Sequence, residues 1–350
     1  MKRLRKILFP FSLIYGSIAA IRNYMFDCGW KRQTTFDLPI ICVGNLSVGG
    51  TGKTPQIEYL VRLLSDKFKT VTLSRGYKRK SEGFYLAADS TKMEDIGDEP
   101  FQYFSKFKNI HVAVDAKRVH GVQQILKRLP ETEVILLDDA FQHRHIKAGF
   151  YVLLTKYDEL YCDDLVLPAG NLREFKSGAF RADVILVTKC PNDLSVEKQN
   201  KIIQKLNVKP NQDVYFTTIS YNENVTNGLI NFKVSELEND SFIAVAGIAK
   251  PEYFYRHLNV IKNNFVTFPD HHHFSENDIT LILEKAQGRK IITTEKDFMR
   301  LQGKLPEEQL FYLPIETHFL NNASSFDSKI LDYVGKSTRN RCVHSAENSK

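Results

Sequence analysis

Apolar positions along this chain come in short unbroken runs, and the stretches between several of them carry apolar residues at helical spacing. The first run, Leu38 to Val43, leads into a glycine-rich stretch from Gly44 to Gly52, after which Ile57, Leu60, Val61 and Leu64 share one face of a helix. Further runs occupy Thr70 to Leu73, His111 to Val114, Val134 to Leu137, Phe150 to Leu154 and Val184 to Val187, with helical patterns such as Ala116 to Leu129 between them. Strands alternating with helices predict an α/β fold built on a mainly parallel sheet with both faces covered. From Asn222 to Asp240 the chain turns polar, which marks a domain boundary. A second, smaller α/β set follows at Phe242 to Val245, Phe265 to Phe268, Lys290 to Thr293 and Leu310 to Leu313. The pattern divides the chain into an N-terminal segment over 1–35, a larger domain over 36–221, a smaller one over 222–335 and a frayed tail over 336–350.

The N-terminal segment begins with Lys2, Arg3, Arg5 and Lys6 and continues with an apolar run of fifteen residues, Ile7 to Ile21. A helix needs about 20 such residues to cross a bilayer, so the run is short for a span. Cations beside Phe9, Phe11, Tyr15, Tyr24, Phe26 and Trp30 suit a helix lying in the interface of an anionic leaflet. A first helix packed on the protein's own core fits the same pattern. A basic start before a short apolar stretch also describes a signal peptide, which the phosphate-binding motifs downstream argue against.

Composition narrows the class. Of 350 residues, 43% are hydrophobic and 25% charged, which excludes a disordered chain. The formal charge of +7 calls for an anionic partner without choosing among nucleotide, phosphorylated substrate, membrane surface and nucleic acid. Cys28, Cys42, Cys162, Cys190 and Cys342 are odd in number and contain no CxxC pair, so neither a disulfide framework nor a zinc site is indicated.

Gly49-Gly50-Thr51-Gly52-Lys53-Thr54 stands between an apolar strand and an amphipathic helix, where backbone N–H groups and a helix N-terminus can wrap a phosphate chain. Lys53 would bridge the outer phosphates and the Thr54 hydroxyl would bind Mg2+. The usual first glycine of such a loop is Ser47 here, so the loop starts earlier, at Gly44. Its partner is Asp138-Asp139, at the end of the run Val134 to Leu137, where a carboxylate can hold magnesium. Alone, a strand ending in two aspartates is as readily a turn.

The wider string of motifs resembles the lipid A 4'-kinase (tetraacyldisaccharide 4'-kinase) family from Leu38 to about Tyr333. It comprises Val43-Gly44-Asn45, Ser74-Arg75-Gly76-Tyr77, Gly97-Asp98-Glu99-Pro100, Asp138-Asp139-Ala140-Phe141-Gln142-His143-Arg144, Leu172-Arg173-Glu174, Asp270-His271-His272 and Thr293-Thr294-Glu295-Lys296-Asp297. Ala140 and Asn171 depart from the family's glycine and proline and leave the ionisable residues untouched. The resemblance implies a P-loop kinase that uses ATP and Mg2+ to phosphorylate the 4'-hydroxyl of an acylated glucosamine disaccharide 1-phosphate. It further implies a peripheral or monotopic place on the cytoplasmic side of the inner membrane, with no nucleic acid and no obligate protein partner. By the same resemblance Asp98 is the base, with His271 oriented towards it, while Glu99 and Glu174 join Thr54, Asp138 and Asp139 around magnesium or pair with nearby cations. Arg75, Arg118 and Arg173 would bind anions through guanidinium forks, and Tyr77, Gln142 and His143 would contact sugar or phosphate.

Other readings stay open on the residues alone. Asp98-Glu99-Pro100 could simply cap a helix over Phe101 to Phe107, Asp270 to His273 could form a metal site, and Thr294 to Asp297 reads equally well as a helix cap. A GTPase is suggested by Val187-Thr188-Lys189-Cys190 but lacks a guanine-reading carboxylate, because Pro191 occupies that place. A nucleic-acid binder fits the charge and lacks an interleaved aromatic and basic motif.

Overall fold

Residues 5–238, 241–261, 263–270 and 272–347 are described by the computed structural model of the chain. Its strands β1 (Ile40–Asn45), β2 (Thr70–Ser74), β3 (Tyr85–Leu86), β4 (His111–Val114), β5 (Val134–Asp138), β6 (Phe150–Lys156), β7 (Val184–Thr188) and β8 (Asp213–Tyr221) belong to one sheet. Every residue of β1, β2, β5 and β7 is buried, as unbroken apolar runs demand of strands covered on both faces. The helices interleaved with them are α1 (Phe9–Asp27), α2 (Lys53–Leu64), α3 (Met93–Ile96), α4 (Asp98–Lys106), α5 (Arg118–Arg128) and α6 (Val196–Leu206).

The smaller unit contains β9 (Asn224–Thr226), β10 (Asn231–Lys233), β11 (Phe242–Ala246), β12 (Phe265–Thr267), β13 (Lys290–Thr294) and β14 (Leu310–Leu313), with α7 (Glu252–His257), α8 (Glu276–Ala286) and α9 (Glu295–Leu301). Its six strands are ordered β10-β9-β14-β13-β11-β12, parallel across β14, β13, β11 and β12. The chain then returns to the larger sheet. β15 (Ile315–Phe319) pairs antiparallel with β8, which completes a nine-stranded order of β15-β8-β7-β6-β1-β5-β2-β4-β3. α10 (Ala323–Glu347) buries Phe326, Ile330 and Val334 in the core beneath that sheet, and Tyr333 donates its hydroxyl proton to the Ile40 carbonyl at 3.2 Å. The pairing therefore divides the chain differently from the expected 222–335 and 336–350. Residues from Ile315 onward belong with the larger unit, and helix continues to Glu347.

α1 is oriented with its apolar side outward. Phe11, Ile14, Ile18 and Ile21, and Ile7 in the helical turn just before α1, are spaced by four and three residues and 61–73% exposed, whereas Ser12 and Gly16 are buried. The inner face is held by polar contacts. Ala169 N–H donates to Ser12 Oγ at 2.8 Å, Asn23 Nδ2 donates to Glu174 Oε2 at 2.6 Å, and Arg144 Nη2 pairs with Asp27 Oδ1 at 2.6 Å. Gly16 is required by close approach, since a Cβ there would lie 2.4 Å from Phe175 Cζ. Of its large apolar side chains only Phe26 is fully buried, so α1 is not a core helix. No described helix is long and apolar enough to cross a membrane.

The two units are joined by ion pairs at α4. Lys106 Nζ lies 2.6 Å from Glu58 Oε2 on α2 and 2.6 Å from Glu295 Oε1 on α9. Burial first, then the neighbouring Glu58, pushes the Glu295 carboxyl up to about 7 against the pull of Lys106. An acid with a raised folded pKa binds more protons folded than unfolded, so charging Glu295 opposes folding progressively as pH climbs from its ordinary 4.5 towards 7. Glu295→Gln is expected to melt at a higher temperature than the parent at pH 8, with the gain vanishing near pH 4. Calorimetry showing a pH-independent difference would contradict this.

Candidate active site

The phosphate loop is shaped by its backbone. Gly52, with φ of 88°, sits in the left-handed region at the N-cap of α2, where a side chain would be strained. The loop does not start at Gly44 as expected: Gly44 and Asn45 end β1, paired with Leu153 and Leu154 of β6, so the loop opens at Leu46, where it is met by another segment. Ser47 bridges to Leu172, Val48 N–H donates to Asn171 O at 2.8 Å, and Arg173 N–H donates to Leu46 O at 2.7 Å. These bonds dock the Asn171–Arg173 stretch on the loop entrance and bring the Arg173 side chain to the site. On the other side Thr188 Oγ donates to Thr51 O at 2.7 Å, so the threonine of the GTPase-like string braces the loop.

Lys53 Nζ stands 3.5 Å from Asn45 Oδ1 and 3.6 Å from Asp139 Oδ1. Arg173 Nη1 donates to both oxygens of Asp139 at 2.9 and 3.1 Å. Burial alone would raise the Asp139 carboxyl; Lys53 and Arg173 outweigh it and hold it below the usual range. Asp138 behaves in the opposite way. Burial, and then the charge of Glu99, push it up to about 7 although Lys53 opposes them. Its Oδ2 accepts from Tyr103 at 3.2 Å and from Ser74 at 3.5 Å, while Oδ1 is buried without a partner. Thr54 lies within hydrogen-bonding reach of the same Tyr103 hydroxyl. Tyr103 thus links Thr54 to Asp138, whose other carboxylate oxygen is buried and unpaired, and Glu99 is near enough for its charge to act on Asp138; a hydroxyl and carboxylates are hard donors suited to Mg2+. No group of three or more His, Cys, Asp or Glu that could hold a metal occurs among the described residues. Magnesium needs none, because it is commonly bound through one or two carboxylates plus substrate phosphates and water.

Glu174 is not brought into that group. It is 1% exposed, and its oxygens accept from Asn23, Gln142 and Arg181 at 2.6–3.0 Å, so it ties α1 to the Gln142 loop. The physical reason is saturation: a carboxylate with both oxygens taken by protein donors has little left for a cation. Gln142 extends this tie, donating to Asn45 O at 3.0 Å and accepting from Arg173 at 3.3 Å.

The arginines differ in kind. Arg118 is buried and donates to Asp115 O and Asp138 O at 2.7 and 3.2 Å, a support for the end of β5; burial lowers it to about 10, still charged at neutral pH. Arg75 and Tyr77 are exposed. His143 is pushed down to about 4, chiefly by burial and then by Arg118, Arg75 and Arg22, so it is neutral at physiological pH amid three guanidinium charges. Such a setting attracts an anion. Arg22, whose Nε is buried without a partner, was not anticipated from sequence. Tyr103 was not anticipated either, although it follows Glu99 by four residues on one helix face.

Asp98 opens α4, and its Oδ2 accepts from Arg300 Nε at 3.2 Å and from Arg300 Nη2. His271 lies outside the described residues. Its neighbour His272 contacts Asp278 Oδ2 at 2.9 Å and stacks on Phe268, so it secures the start of α8. Thr294 caps α9 by accepting from Asp297 N–H.

A family model described as Tetraacyldisaccharide-1-P 4'-kinase matches residues 4–335. The chain belongs to that family. The tetraacyldisaccharide 4'-kinase of Flavobacterium johnsoniae is 54% identical over 95% of this chain and 98% of its own length. That of Bacteroides thetaiotaomicron is 42% identical over 99% and 98%. Among solved structures, "apo" form LpxK from Aquifex aeolicus in complex with ATP superposes with a TM-score of 0.77 at 28% identity, covering 95% of this chain and 99% of that one. The enzyme is therefore a kinase, and the P-loop fold expected from its glycine loop is the fold of its family.

Proposed function

We propose that this kinase transfers the γ-phosphoryl group of ATP to the 4'-hydroxyl of a tetraacyldisaccharide 1-phosphate while seated on the cytoplasmic face of the inner membrane. The observation carrying this reading is Lys53 of the glycine loop paired with Asp139 and close enough to act on the charge of Asp138, in a chain from this family. Loop amides and Lys53 hold the phosphate tail, and the Asp139–Arg173 pair fixes the lysine's surroundings. Thr54 and Asp138, with Glu99 close by, would hold Mg2+, which supplies charge neutralisation on the phosphate oxygens when bound. Asp98 accepts the proton of the sugar hydroxyl as its oxygen bonds to the γ-phosphorus and the bond from that phosphorus to the bridging oxygen breaks, releasing ADP. Arg75 and Arg22 beside neutral His143 receive an anionic group of the substrate. His271 remains the proposed partner of Asp98 on the family resemblance.

The exposed stripe of α1 supports attachment from the aqueous side, with apolar residues in the acyl boundary and the polar face on the protein. Incubation with ATP, Mg2+ and the acylated disaccharide 1-phosphate is expected to add one phosphate by mass. Hydrolysis of ATP with no change in the lipid would refute the acceptor.

A further inference from the structure

We infer that Arg300 is the positioning residue for the Asp98 base, presented to it by α9 of the smaller unit. This rests on the reading of Asp98 as base and deepens it. α4 and α9 run antiparallel and are clamped at both ends. Asp98 at the start of α4 meets Arg300 near the end of α9, and Lys106 at the end of α4 meets Glu295 at the start of α9. Lys106 also binds Glu58 on α2, the helix that begins at Lys53. One end of α4 is thus fixed relative to the phosphate loop, and the carboxylate at its other end is fixed by the smaller unit.

Arg300 is suited to aim a carboxylate. Two of its nitrogens converge on Oδ2 of Asp98, which restricts rotation of the carboxylate about a torsion that is otherwise broad. Both Arg300 bonds end on Oδ2, which leaves Oδ1 to face the sugar hydroxyl and His271, the partner proposed for Asp98. The arginine side chain is 7% exposed against 42% for Asp98, so the guanidinium lies behind the carboxylate. It is itself backed by Asp297 Oδ1 at 3.7 Å, and Asp297 Oδ2 accepts from Gly247 N–H at 2.8 Å and Thr294 Oγ at 2.7 Å. The base is therefore aimed by a rigid cap in the smaller unit, 202 residues away in sequence.

Steady-state kinetics of the full chain with ATP, Mg2+ and the lipid acceptor test this. Arg300→Met is expected to lower kcat about a hundredfold, the scale of a misplacement near 1 Å, with the KM for ATP within about twofold of the parent. Arg300→Lys, which retains the cation without the planar fork, should recover part of the loss. Combined with Asp98→Asn, Arg300→Met should cause no further fall beyond about twofold, because a positioning residue acts only through the group it positions. Parental kcat in Arg300→Met, or losses that multiply in the double variant, would overturn the inference. Should Arg300→Met fail to fold, Arg300→Lys decides: kcat lowered about fivefold or more at unchanged KM for ATP sustains it, and parental kcat overturns it. An active Asp98→Asn would instead remove the base reading itself, whereas an inactive Asp98→Asn beside a fully active Arg300→Met removes only the role given to Arg300.

Discussion

Asp98→Asn is expected to reduce kcat by roughly a hundredfold to ten-thousandfold while leaving ATP affinity within about twofold, the range associated with losing a positioned general base. Asparagine keeps the shape of the side chain and removes its capacity to take a proton. The nucleotide loop is unaffected, because Asp98 contacts neither Lys53 nor the Asp138–Asp139 turn among the described residues. Turnover by transient kinetics and ATP binding by calorimetry separate the two quantities. A variant with parental turnover would show that the sugar hydroxyl loses its proton elsewhere.

The second large effect concerns the membrane. Replacing both Ile14 and Ile18 with lysine should weaken sedimentation with vesicles containing phosphatidylglycerol by about a hundredfold or more, given about 1.5–3 kcal/mol for burying each side chain. Both residues lie on the outward stripe, at 61% and 64% exposure, so the fold and ATP binding should be unchanged. Equal sedimentation of parent and variant would assign the outward stripe of α1 some other role.

What could be read from the sequence is what depends on neighbours along the chain. The apolar runs that became β1, β2, β4, β5, β6 and β7 needed only local pattern, as did Lys53 and the Asp138–Asp139 turn, each at the end of a strand and loop. Contacts between distant segments were not legible. β8 was missed because Asp213–Tyr221 mixes threonine and serine into its apolar run, and β15 was grouped with the smaller unit because its partner lies about a hundred residues earlier. Glu174 sits beside Arg173 in a motif of charged residues, and nothing local reveals that Asn23, Gln142 and Arg181 saturate it. The outward face of α1 is a similar case. Its spacing announces an amphipathic helix, but only the polar contacts of Ser12, Asn23 and Asp27 with distant loops determine which side faces water or lipid.

The glycine loop, Asp98 and the outward stripe of α1 lie on one larger unit, and the smaller unit reaches Asp98 through Arg300 of α9. The most direct measurement of that account is a proton–phosphorus correlation spectrum of the lipid after turnover with ATP and Mg2+. A new phosphomonoester coupled to the sugar proton at the 4' carbon, absent with Lys53→Met, is the result predicted. An acceptor that returns with its original phosphate alone, or with the new one at another carbon, would contradict it.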